Sequence, residues 1–225
     1  MEAFKHPSGI PDAIVKKVVS RRGRLHAFET IEPTKTALVV IDLDEGTVGR
    51  DDKDTARRVV SNVNALANAL RSRAGVVAWV LSRMDIMGPN FAAILGIDLA
   101  TMYFNEALPG GPGSRIWPEL EIQEGDLFTT KSGASAFFPG KCDLYEQLKP
   151  RGIDTLLITG AVTNICCESS ARDATELGYK VVMVSDALSG HAHGLHEATL
   201  ATFYRIFGDV RPSCEVIGLL SAGTQ

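Results

Sequence analysis

The sequence predicts an α/β fold of three layers, a mostly parallel β-sheet flanked by helices on both faces, and three observations carry that expectation. Its apolar runs are short, rich in β-branched residues and uninterrupted, as in Ala37 to Leu43 (ALVVIDL), Val76 to Leu81 (VVAWVL) and Thr155 to Thr159 (TLLIT). Strands buried on both faces read this way, whereas a half-solvated strand alternates apolar with polar. Between the runs lie stretches with helical spacing, such as Val59, Val63, Leu66 and Leu70 between Asp54 and Ser72. Glycines then close these stretches, Gly75 after the first and Gly178 after Asn164 to Leu177, as expected where a helix ends in a left-handed residue.

Taken in order, a strand at Ala37 to Leu43 leads into the helix Asp54 to Ser72, and Val76 to Leu81 is the second strand. Asp126 to Thr130 follows the turn signal EGD as a third, Leu144 to Leu148 is a short helix, and Thr155 to Thr159 is the fourth strand. The helix Asn164 to Leu177, the strand Lys180 to Val184 (KVVMV) and the helix His196 to Phe207 continue the alternation, with Glu215 to Leu219 expected as a last strand. Repeated strand, helix, strand connections set neighbouring strands parallel and bring helices to both sheet faces. Active sites in such sheets lie beyond the carboxyl ends of the strands.

Two segments stand outside the alternation. Residues 1–33 form an N-terminal arm with a short helix, Asp12 to Arg21, packing on the domain or on a second subunit; a basic surface for a membrane or an acidic partner is the sharper alternative. Residues 34–225 form the main domain. Within it, residues 84–125 are rich in Gly and Pro, including PGGPG, and a connection this long usually caps a pocket.

The chain has 225 residues, 45% hydrophobic and 22% charged, which suits one domain with a substantial core. A net charge of -4 excludes a general nucleic-acid surface, which needs a basic face. No apolar run is long enough to span a bilayer, and the first residues lack the apolar core of a signal peptide, so a cytoplasmic protein is expected. Four cysteines without a C-x-x-C pair suit reduced thiols.

Cys166 stands where the strand ending at Thr159 turns through Gly160 into a helix, in GAVTNICCESSARDA. A helix start gathers unpaired N–H groups and the positive end of the dipole, which would favour a thiolate and could hold an oxyanion. A small buried cysteine packing under a helix fits the position equally well. Asp42 closes the first strand and Lys131 follows the third, so three strand ends could direct a carboxylate, an ammonium and a thiol into one crevice. A carboxylate at that depth requires a cation or a proton, and Lys131 is the expected partner.

These residues carry a resemblance. ALVVIDLDE, KSGASAFF and above all GAVTNICCESSARDATELGYKVVMVSDAL resemble the isochorismatase-like cysteine hydrolases, from about Lys35 onward and in the family's order. The resemblance is strongest with the amidohydrolase branch, similar to N-carbamoylsarcosine amidase and ureidoacrylate amidohydrolase. It implies a catalytic triad of Asp42, Lys131 and Cys166, a cis peptide between Ala161 and Val162, and an oxyanion hole made by the backbone N–H groups of Val162 and Cys166. Thr163, Cys166 and Asp173 match the family's spacing around the nucleophile, whereas Cys167 does not and is expected to pack in the core. The implied reaction is hydrolysis of a C–N bond in a small amide, carbamoyl or ureido compound through a thioester or thiocarbamate, with no cofactor and no metal.

Departures from the pattern refine this. LSRMDIMGP lacks the spaced ligands of metal-dependent nicotinamidases, since Asp85 alone could not hold zinc. The presence of Cys166 separates the chain from the vinyl ether hydrolases of the family, which typically lack the nucleophile and form the first alternative. Asp44, Trp117, Phe137 and Phe138 are expected in the substrate pocket, with core packing the alternative for the phenylalanines and a position facing the arm the alternative for Asp44. His191, His193 and His196 have spacing that could hold a metal, giving a metal hydrolase as a further alternative, and a non-catalytic binding scaffold is another. Relatives of this kind are commonly homodimers or homotetramers, for which the arm would suit a subunit contact.

Overall fold

The computed structural model describes residues 6–83, 90–190 and 192–222. They contain a six-stranded parallel sheet in the order β3-β2-β1-β4-β5-β6. Its strands are β1 (Thr36–Ile41), β2 (Val76–Ser82), β3 (Leu127–Lys131), β4 (Thr155–Ala161), β5 (Lys180–Ser189) and β6 (Asp209–Arg211). The helices are α1 (Asp12–Arg22), α2 (Glu45–Val48), α3 (Lys53–Arg71), α4 (Phe91–Leu95), α5 (Ile97–Ala107), α6 (Leu144–Leu148), α7 (Glu168–Glu176), α8 (His193–Ile206) and α9 (Ser213–Ala222).

The uninterrupted apolar strands are explained by the two cores they separate. Ala37, Val39 and Ile41 of β1 pack into one core with Val15 of α1, Leu148 of α6, Ala171 of α7 and Phe203 of α8. Leu38 and Val40 pack into the other, with Val63 and Leu66 of α3 and Val216 of α9. Successive residues of a strand point to opposite faces, so burial on both sides demands apolar residues throughout.

The chain's final segment departs from expectation. Residues 215–219 lie in helix α9, not in a strand, and the last strand is the short β6. The buried residues Val216 and Leu220 are four apart, which is a helical stripe; the apolar string around them obscured that period. The segment 84–125 carries helices α4 and α5, although residues 84–89 lie outside the described part.

The N-terminal segment packs on its own domain. Val15 and Val18 of α1 are buried in the same core as Tyr204, and Gly23 ends the helix at φ 76°. Beyond it, Tyr204 donates to the Leu25 carbonyl at 2.6 Å, and the fully buried Asp209 accepts from the Ala27 N–H at 3.1 Å and contacts His26 at 3.0 Å. No helix among the described residues is long and apolar enough to cross a membrane.

Candidate active site

Four neighbouring strands each bring one residue to the carboxyl edge of the sheet. Lys131 ends β3, Ser82 ends β2, Asp42 follows β1, and Cys166 follows β4. Asp42 still donates its N–H to Val80 at 2.8 Å and then leaves the sheet with φ 49°, a left-handed conformation that Asp tolerates better than most residues. Beside it, Gly160 pairs with Ile41 and has φ 109°; a Cβ there would lie 2.0 Å from the Ile41 carbonyl oxygen. Only glycine permits that approach.

The Lys131 ammonium lies 2.8 Å from one Asp42 oxygen and donates to Ser82 Oγ at 2.7 Å, to the Gly133 carbonyl at 3.2 Å and to Cys166 Sγ at 3.3 Å. Ser82 in turn donates to the other Asp42 oxygen at 2.9 Å. Burial works against the charged form of Lys131, but the Asp42 carboxylate and Cys166 outweigh it and the pKa is raised. Ser82 was not singled out by the sequence. A lone serine at a strand end carries no signal until the strand order sets it between Lys131 and Asp42.

Cys166 sits in a π-helical turn, Thr163–Cys167, in which the Cys167 N–H reaches the Val162 carbonyl at 3.3 Å; the Ala161–Val162 peptide before it is cis. The partly exposed Cys166 faces Lys131, while Cys167 is fully buried and directs its sulfur to the Thr159 carbonyl at 3.8 Å. The expectation of an easily ionised thiol is reversed. Burial, followed by the Asp42 carboxylate, pushes the Cys166 pKa up to about 12, against the opposing pull of Lys131. The field of a carboxylate and loss of water outweigh the helix start.

A cavity of about 270 Å³ opens over these groups. Asp44 lines it and caps α2, accepting from the Thr47 N–H at 2.8 Å and its hydroxyl at 3.1 Å. Burial raises Asp44 to about 7. The apolar wall comes from Phe91 and Leu95 of α4, Leu99 and Tyr103 of α5, and Ile165. The aromatic residues expected there lie elsewhere. Phe137 is buried in the core with its ring 5.8 Å from that of Tyr179, Phe138 is half-exposed away from the cavity, and Trp117 packs against the core that includes α3 with its backbone N–H on the Leu43 carbonyl. Aromatic character near a site motif did not reveal direction.

The histidine segment divides its side chains. His196 contacts the buried Thr163 hydroxyl at 2.8 Å, bracing the turn that carries Cys166, and exposed His193 pairs with Glu197 at 3.2 Å. His191 and Asp85 lie outside the described residues.

Residues 36–213 match the profile of the Isochorismatase domain, most of the chain. The chain belongs to the isochorismatase family. It is 36% identical over 193 residues to the uncharacterized family protein YwoC of Bacillus subtilis (strain 168), covering 83% of this chain and 95% of that protein. The ureidoacrylate amidohydrolase of Klebsiella variicola (strain At-22) is 28% identical over 214 residues, 84% of this chain and 89% of its own length. Among solved structures, a cysteine hydrolase from Pseudomonas syringae pv. phaseolicola 1448A superposes with a TM-score of 0.74 at 25% identity, covering 89% of this chain and 99% of that one. N-carbamoylsarcosine amidase from Thermoplasma acidophilum gives 0.65 at 25% identity, over 80% and 96%. The three-layer parallel architecture is therefore the family's own.

Proposed function

We propose that this isochorismatase-family protein is a cysteine hydrolase of a C–N bond in a small amide, carbamoyl or ureido compound. The observation that carries the reading is the 3.3 Å contact between Cys166 Sγ and Lys131 Nζ, with Lys131 itself 2.8 Å from Asp42, at a cavity of small-molecule size. The named activities of the ureidoacrylate and N-carbamoylsarcosine relatives support the choice of bond.

In this mechanism Asp42 takes the Cys166 proton as the sulfur attacks the carbonyl or ureido carbon. A C–S bond forms and the carbonyl electron pair moves to oxygen, where the N–H groups of Val162 and Cys166 receive it as an oxyanion hole. Collapse breaks the C–N bond, and the leaving nitrogen takes the proton from Asp42 to depart as ammonia or an amine. Water then attacks the thioester or thiocarbamate, giving its proton to Asp42. The second collapse frees the acid, and the proton returns to sulfur. The raised thiol pKa suits this order: the proton moves to Asp42 with the attack, and the Lys131 ammonium, in contact with both groups, stabilises the negative charge as it passes between them.

Ammonia release from a panel of small amides, N-carbamoyl compounds and ureido acids tests the reading. Activity in wild type and in Cys167→Ala, with loss in Cys166→Ala, is expected. No hydrolysis by wild type, or retained activity in Cys166→Ala, overturns it.

A further inference from the structure

The cavity over Cys166 is also lined by Arg50 and Glu106, residues that none of the site motifs includes. Arg50 follows α2 and Glu106 lies on α5, so the contact joins two elements on either side of the pocket. A single guanidinium nitrogen donates to both Glu106 oxygens at 2.9 Å, and the guanidinium carbon stands 5.5 Å from the centre of the Tyr103 ring. Glu106 and Asp44 also converge: a Cβ on Gly46 would meet an oxygen of each, at 3.3 and 3.2 Å.

The charge balance of the pocket follows from these contacts. Among the described lining residues the cations are Lys131 and Arg50, and they face three carboxyl groups, Asp42, Asp44 and Glu106. Lys131 is held by Asp42, Ser82 and Cys166, and Arg50 is held by Glu106. A substrate carboxylate entering here would find each cation already matched, Lys131 by Asp42 and Arg50 by Glu106. The remaining wall, Phe91, Leu95, Leu99 and Tyr103, rewards an apolar body.

We propose that the Arg50–Glu106 pair determines specificity, closing the pocket to acid substrates and selecting uncharged, largely apolar primary amides. This rests on the amide-hydrolase reading and narrows it. Selection by pairing a cation within the protein is a form of rejection, since the wrong ligand must either break the pair or remain unpaired itself.

Three probes built on one propanamide chain separate the possibilities: butyramide, succinamate, in which a carboxylate replaces the methyl, and 3-aminopropanamide, in which an ammonium does. Wild type is expected to favour butyramide over succinamate by at least about tenfold in kcat/KM. Glu106→Gln unmatches the Arg50 cation and should raise succinamate relative to butyramide by about tenfold or more, whereas Arg50→Gln unmatches Glu106 and should raise 3-aminopropanamide instead. Opposite shifts in two variants that lose the same contact cannot come from loosened structure. Thermal melts establish that each variant is folded, and if Glu106→Gln does not fold, Arg50→Gln decides. A wild-type preference for succinamate, or an unchanged ratio in a folded variant, overturns the inference. Hydrolysis of ureido acids in the wider panel without hydrolysis of butyramide overturns it while leaving the C–N hydrolase reading intact; no hydrolysis of any amide, carbamoyl or ureido compound overturns both.

Discussion

Lys131 and Asp42 form their 2.8 Å ion pair across an intervening strand, because β2 lies between β3 and β1 in the sheet. The gap is filled by Ser82, whose hydroxyl accepts from the lysine and donates to the carboxylate. The pair is thus a three-residue bridge laid over three strand ends.

Ser82→Ala should weaken that bridge without removing either charge. Hydrogen bonds to charged groups contribute about 1.5–3 kcal/mol each, so a stability loss of that order is expected in urea unfolding. With Lys131 and Asp42 no longer held in register, kcat should fall by roughly tenfold to a hundredfold while KM changes little, read by steady-state kinetics on any amide that the wild type turns over.

Lys131→Met should cost more, about 3–5 kcal/mol, because it leaves the Asp42 carboxylate buried without its cation. Adding Asp42→Asn should recover part of the loss, although neither variant would be active. Chemical denaturation of the two single variants and the double variant checks the sign of the coupling. A double variant less stable than Lys131→Met alone would contradict the pairing.

Asp44 gives a pH dependence with a definite sign. Burial raises its folded pKa from 3.8 to about 7, so the folded state keeps a proton that the unfolded chain has already lost. Its contribution to stability is fully present below about 4 and is lost as the pH rises through 7. Asp44→Asn should flatten that part of the stability profile, measured by thermal melts across the interval. A profile unchanged by the substitution would refute the assignment.

Gly160→Ala should prevent folding or destabilise the protein by more than about 3 kcal/mol, since the added carbon meets the Ile41 carbonyl and the backbone lies outside the range of L side chains. Circular dichroism and soluble yield test this, with Gly178→Ala as the comparison: it has a similar φ of 92° but open space around it, so its loss should be smaller.

How much of this was legible in the sequence depends on whether the signal was local. The run ALVVIDL announces a strand buried on both faces and puts its carboxylate at the end, because both statements concern adjacent residues. The opposed directions of Cys166 and Cys167 follow from helical rotation and are observed. Ser82 was invisible because its role depends on strand order, which pairs residues 82 and 131 only through the long β2–β3 crossover. The apolar wall was missed for a related reason: Phe91, Leu95 and Tyr103 occur in a stretch whose glycines and prolines conceal two short helices. Trp117, Phe137 and Phe138 were chosen instead, and Phe137 turned into the core while Phe138 turned to the surface.

The grip on the N-terminal segment has a temporal side. Leu25, Ala27 and Phe28 are tied to Tyr204, Asp209 and Arg211, so this segment leaves the ribosome well before those three groups have been synthesised. Those long-range ties must wait through nearly the whole of translation. Nascent chains arrested before residue 204 should therefore expose this segment to protease, and the released full-length chain should protect it.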